Sequence, residues 1–207
     1  MAVHLRTGPV TAGRTTAPAE LLPGEVGRPD RPPARSPRAA EIVAAARKVL
    51  EDEGAGALTM RRLAHELHMQ APSLYKHFAS KAAVESALIG EAMFDLGDRA
   101  HDALHADGPG TALWRLLEVY RLNGRAHPNL YRLATSGRLD RDSLPDGLEE
   151  WAGNPWFVVT GDASSAQALW SFAHGMLVLE LDQRYPPGSD LDRTWRAGAE
   201  AFERAVR

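Results

Sequence analysis

Residues 59–81 read TMRRLAHELHMQAPSLYKHFASK, and this stretch decides the fold. Thr59 is a side-chain cap placed ahead of Met60, Leu63, Ala64 and Leu67, which recur at the spacing of one helix face. His68-Met69-Gln70 interrupt that period. A second short helix is predicted over 71–78, with Pro72 in its first turn and Leu74 and Phe78 turned inward. Ser80 caps a further helix that starts at Lys81 and runs to about residue 104. Two short helices joined by a tight turn are a helix-turn-helix.

Upstream, Ser36-Pro37 is a cap followed by a proline suited to the first helical position. Ile42, Ala45, Ala46, Val49 and Leu50 then recur at helical spacing until Gly54 and Gly56 end the helix after Glu53. This amphipathic helix supplies the core that two short helices lack. Residues 1–35 are rich in Pro, Gly, Thr and Arg without an apolar period, and a disordered arm is expected there.

Downstream, breaks are expected at Gly108-Pro109, His127-Pro128, Gly137, Pro145, Gly153-Asn154-Pro155 and Pro186-Pro187-Gly188. Asp162 or Ser164 caps a helix reaching Tyr185, and Ser189 or Asp190 caps a last one. Nothing alternates with the period of a half-buried strand, and no internal repeat is present. The fold is expected to be all-α: an arm over 1–35, a three-helix helix-turn-helix domain over 36–82, and a second helical domain over 83–207. Residues 168–181, ALWSFAHGMLVLEL, are apolar nearly all round and must be covered on two sides. A partner subunit is the simple cover.

A chain of 207 residues with 44% apolar residues can bury a substantial core. It has no cysteine, which removes disulfides, thiolate metal sites and cysteine nucleophiles. No signal-peptide run and no membrane-length apolar stretch occurs, so a soluble cytoplasmic protein is expected, with no membrane partner. The net charge of −3 is unevenly spread. Residues 1–35 carry five Arg against three acids, 36–82 seven Lys/Arg against five, and 83–207 twelve Arg against nineteen. The three lysines, Lys48, Lys76 and Lys81, lie between 48 and 81, so the N-terminal part is the one suited to a polyanion.

A helix-turn-helix that reads DNA needs small or polar residues at the start of its second helix and phosphate donors on both sides. The outward residues here are Gln70, Ala71, Ser73, Lys76 and His77, flanked by Thr59, Arg61 and Lys81. Tyr75 is out of phase with Leu74 and Phe78, which favours a partly exposed ring. Alternatively, these side chains are plain caps and solvated polar groups. Their joint spacing favours DNA. The cluster His65-Glu66-Leu67-His68 does not have the HExxH spacing of a zinc protease, and His68 falls in the turn, so no metal site is expected. No Walker loop, nucleophile elbow or paired carboxylate gives an enzyme any chemistry, and neither catalytic residues nor cofactors are expected.

Thr59-x-Arg61-x-Leu63-Ala64, Leu67, Pro72-Ser73-Leu74-Tyr75-x-His77-Phe78 and Lys81 resemble the DNA-binding domain of TetR-family transcriptional regulators, over about 38–88. The resemblance implies that Thr59, Tyr75 and Lys81 contact phosphates, that Ala71, Pro72, Ser73 and Lys76 face base edges, and that His77 lies near the backbone. His68 stands where Gly is usual; it would need the left-handed conformation. Trp170-x-x-x-His174-Gly175 with Leu179-Glu180-Leu181 looks like the Trp-His-Gly type of C-terminal domain. That implies a homodimer through the last two helices, an effector pocket before them, and repression of a palindromic operator relieved by a small molecule. Trp114, Tyr120, Tyr131, Trp170 and His174 are the candidate effector residues, with Trp151, Trp156, Phe157 and Phe172 as further aromatic material. His174 reads more readily as a hydrogen-bonded core histidine than as a ligand contact. For Glu180 the sequence leaves a cross-interface hydrogen bond and an effector contact both open.

Overall fold

The computed structural model describes residues 24–31 and 36–206, and the described residues form α-helices without strands. Helix α1 (Pro37–Glu53) starts where the sequence predicts, with Ser36 Oγ accepting from the Ala39 N–H at 3.2 Å. It stops at Gly54, whose φ of +83° suits glycine. Helices α2 (Met60–Glu66) and α3 (Ala71–Tyr75) follow, and then the long α4 (Lys81–His105). Helix α3 ends at Tyr75 rather than at 78: the His77 and Phe78 amides both return to the Leu74 carbonyl, at 2.9 and 3.0 Å, and close a turn. Phe78 is still buried, with Ile42, Leu50, Leu63, Leu74, Val84 and Leu88. This head core runs past residue 82 into α4 and includes Leu130 of α6 (Pro128–Thr135).

The body comprises α5 (Ala112–Ala126), α6, a 3-10 turn at Arg141–Ser143, α7 (Leu148–Thr160), α8 (Ala163–Leu181) and α9 (Leu191–Ala205). Asp162 caps α8 by accepting from the Ser164 and Ser165 amides at 2.9 and 3.0 Å, and Asp190 caps α9 by accepting from the Arg193 amide at 2.9 Å. Leu116, Leu117, Tyr120, Trp156, Leu169, Leu177 and Trp195 fill the second core. Helix α4 touches α1, α5, α6 and α7, so it links head to body.

The expected break at 153–155 is overturned, because α7 runs straight through Pro155. Proline has no N–H, so the Trp151 carbonyl four residues earlier loses its helical donor. His101 Nε2 lies 3.0 Å from that oxygen and replaces the missing bond. The sequence shows the breaker but not the distant side chain that compensates for it.

Of the arm expected over 1–35, residues 24–31 are described. Residues 24–31 lie against α4 and α7: Asn154 Nδ2 donates to the Gly24 carbonyl at 2.9 Å, and its Oδ1 accepts from the Val26 N–H at 3.1 Å. The rest of that arm, 1–23 and 32–35, lies outside the described residues.

Helix α8 buries Ala166, Leu169, Ala173, Met176 and Leu177, while Trp170 and Leu179 on its other side are each 43% exposed. A Cβ added at Gly175 would meet nothing within 4 Å, so no other helix among the described residues approaches closely there. Glu180 turns out to be an intrachain clip. Its carboxylate accepts from Arg121 of α5 at 2.8 and 2.9 Å and from the Trp195 indole of α9 at 3.0 Å. Burial pushes this carboxyl up, but the hydrogen bonds from Arg121 and Trp195 outweigh it and hold Glu180 below the usual range. Among the described residues no helix is long and apolar enough to cross a membrane.

Candidate nucleic-acid interface

The turn between α2 and α3 is closed by backbone bonds that follow from one unusual residue. His68 has φ +50°, in the left-handed region. Its N–H reaches the His65 carbonyl at 3.1 Å and the Met69 N–H reaches the Ala64 carbonyl at 2.8 Å. This double closure is a Schellman motif, usually completed by glycine. Met69, just beyond it, packs on the head core and fixes the direction in which the chain enters α3.

Around that turn, Thr59 Oγ1 accepts from the Arg62 N–H at 3.1 Å and Ser80 Oγ accepts from the Ala83 N–H at 3.1 Å, so both predicted caps form. Gln70, Pro72, Lys76 and His77 are exposed, Ala71 and Ser73 half-buried, and Tyr75 is 52% exposed. Arg61 is exposed, whereas its neighbour Arg62 is held by Glu53 at 2.6 Å and Glu66 at 2.8 Å. Hydrogen bonds that Arg62 donates to Glu53 first, then to Glu66, raise its pKa, and they commit its charge to joining α1 and α2. Lys81 Nζ lies 3.1 Å from Glu85. An exposed pair of this kind is worth only about 0–1 kcal/mol, so a phosphate can displace it. The structure thus collects Thr59, Arg61, Gln70, Tyr75, Lys76, His77 and Lys81 around one short helix.

Residues 42–88 match the profile of bacterial regulatory proteins of the tetR family. The chain carries a TetR-family DNA-binding domain. Over 162 residues it is 29% identical to the HTH-type transcriptional regulator EthR of Mycolicibacterium smegmatis, spanning 76% of this chain and 70% of that one. Over 94 residues it is 35% identical to the tetracycline repressor protein class C of Escherichia coli, 42% of each. Its fold matches a protein of unknown function from Rhodococcus sp. RHA1 with a TM-score of 0.69 at 19% identity, over 86% of this chain and 99% of that one. It also matches the multidrug binding protein EbrR, solved with imidazole, with a TM-score of 0.60 at 23% identity, over 83% and 96%. Residues 42–88 are thus a DNA-binding domain of the tetR-family kind, in a chain similar along most of its length to a transcriptional regulator.

In the body of the chain, four of the five predicted effector residues come together. The Tyr120 and Tyr131 hydroxyls are 3.1 Å apart, and the Tyr131 hydroxyl lies 2.7 Å from His174 Nδ1. Trp170 stacks on His174 at 5.7 Å between ring centroids, and Trp156 meets Tyr120 edge-on at 5.2 Å. Burial lowers the His174 pKa and raises those of both tyrosines, so all three are held neutral. Donation from Tyr120 to Tyr131 and from Tyr131 to Nδ1 satisfies the chain. Trp114 stands apart, its ring covered by the Arg196 guanidinium at 4.4 Å. Trp151 is also elsewhere, against Phe94 and His101. A cleft of about 830 Å³ opens between the head and residues 140–145, lined by Ala40, Ser86, Phe94, Leu144 and Pro145 among others.

Sequence reading missed one head-to-body contact. Glu51 of α1 accepts from the Asn129 and Leu130 amides at 3.2 and 2.9 Å, and so caps α6 from outside. The available signal was that α6 begins at Pro128 with no capping side chain before it.

Proposed function

We propose that this protein is a homodimeric TetR-type repressor that leaves a palindromic cytoplasmic operator when a small-molecule effector binds. The observation that carries the proposal is the exposed polar and cationic face of α3 and its flanks, supported on a turn that the apolar head core holds rigid. Each α3 would enter the major groove, and the two would read half-sites about one helical turn, ~34–36 Å, apart. Thr59, Tyr75 and Lys81 would contact phosphates with Arg61 and His77 beside them, while Gln70, Ala71, Pro72, Ser73 and Lys76 face the bases. A gel-shift titration against salt tests this. Tyr75→Ala and Lys81→Ala should weaken binding to every sequence and reduce the salt slope by about one each, whereas changes at Ser73 or Lys76 should alter base preference. Unchanged affinity and preference in all four would refute the assignment.

The body is of the Trp-His-Gly type and dimerises through α8 and α9. The exposed Trp170 and Leu179 and the open face at Gly175 favour this. The effector would sit at Tyr120, Tyr131, Trp170 and His174, where aromatic walls surround a few polar atoms. A second seat, favoured by its volume, is the cleft at residues 140–145. An effector moves the equilibrium only by binding the two head arrangements unequally. Effector-induced release that survives Tyr131→Phe and His174→Gln but not Ser86→Trp would choose the second seat.

A further inference from the structure

We propose that the groove between α4 and α7 is a carboxylate-anchored docking site for the chain's own residues 24–31, and that the docked strap fixes the DNA-binding head against the body. The anchor is Glu25, whose side chain is 2% exposed. His101 Nδ1 lies 2.5 Å from one of its oxygens and His105 Nε2 2.9 Å from the other. His101 is itself positioned by its bond to the Trp151 carbonyl that Pro155 leaves free, and by stacking on the Trp151 ring at 5.0 Å and 6°. Two imidazoles converging on the two oxygens of one group, in a place nearly closed to water, select a carboxylate rather than any polar side chain. Asn154 holds the backbone on both sides of that anchor, through Gly24 and Val26. Arg28 closes the groove with two bonds to Asp98, at 2.5 and 2.9 Å, and lies over the rings of Phe94 and Trp151 at 4.9 and 5.3 Å.

The strap and the head meet at Asp95 of α4. One oxygen takes Arg31 of the strap at 3.4 Å, and the other takes Arg47 of α1 at 3.1 Å. Residues 32–35 alone separate Arg31 from Ser36, the cap of α1. A strap held on the body therefore restricts where α1 can begin. Docking narrows the range of head positions, and its release lowers DNA affinity by lowering the fraction of molecules ready to bind. This last step rests on the DNA-binding reading above.

The test uses the full-length protein, Glu25→Ala and Asn154→Ala, with amide hydrogen exchange over 24–31 and gel shifts on a duplex that the wild type selects from a random pool. The Val26 amide should lose protection in both variants, and DNA binding should weaken about fivefold. Acetate replaces the atoms that Glu25→Ala removes. At about 0.1 M it should restore protection in that variant, while matched chloride should not. A Val26 amide as protected in Glu25→Ala as in the wild type overturns the docking site, and failure of acetate overturns the carboxylate socket. A released strap with unchanged DNA affinity overturns the coupling. A wild type that selects no duplex refutes DNA binding instead, and the exchange measurements still decide the docking.

Discussion

Two histidines show how backbone and burial set the roles of single residues. His68 occupies the left-handed corner of the turn at φ +50°. That conformation costs an L-residue roughly 1–2 kcal/mol, while glycine there loses part of the gain to unfolded-chain entropy. His68→Gly is therefore expected to stabilise the protein by up to about 1 kcal/mol in urea unfolding, with DNA affinity unchanged. A destabilised variant would mean that the imidazole has a role of its own. His174 behaves differently. Burial lowers its pKa below the ordinary 6.5, so the unfolded chain takes up this proton at a higher pH than the folded one does. Its contribution to stability is complete above about 6.5 and is lost as pH falls toward the folded value. His174→Gln does not titrate, and should flatten the fall in Tm between about pH 7 and pH 5. Parallel profiles for wild type and variant would show that His174 is not the group responsible.

At the scale of elements, helix starts were legible because most caps are local. Ser36, Thr59 and Ser80 each cap their own helix as the sequence predicts, and of the two pairs it leaves open Asp162 and Asp190 are the caps. Helices α3, α6 and α7 have no such local cap, and α6 takes its cap from Glu51, which the sequence offers no reason to connect with positions so far away. Glu51→Ala should therefore fray the start of α6 and cost about 1 kcal/mol, the usual worth of a cap. Hydrogen exchange should locate the loss at residues 129–131, on the helix that also carries Tyr131. Unchanged exchange there would show that water replaces the carboxylate at no cost. Helix α7 was misread for the same physical reason. Pro155 signals a break, and only His101, supplied by α4, allows the helix to continue.

For the whole molecule, the two-sided apolarity of 168–181 has one explanation inside the chain and another outside it. One side of α8 packs on the second core, and the other leaves Trp170 and Leu179 exposed. Leu179→Asp should convert a dimer into the 22.5 kDa monomer in size-exclusion chromatography with light scattering, with the helical content kept. A variant that still runs as a dimer would place the interface elsewhere. The sequence by itself determined the all-helical class, the helix-turn-helix with its outward Gln70, Tyr75, Lys76 and His77, and the position of nearly every helix start. Apolar period, caps and turn residues act over a few positions, and such short-range forces can be read in order along the chain. The tertiary structure alone decided that Glu180 clips α5 to α9, that Glu51 caps α6, and that Glu25 lies between two histidines of α4. Each of these is a partly buried polar group far along the chain from its partner. Burial requires that a partner exist, and only the packing of helices determines which residue it is.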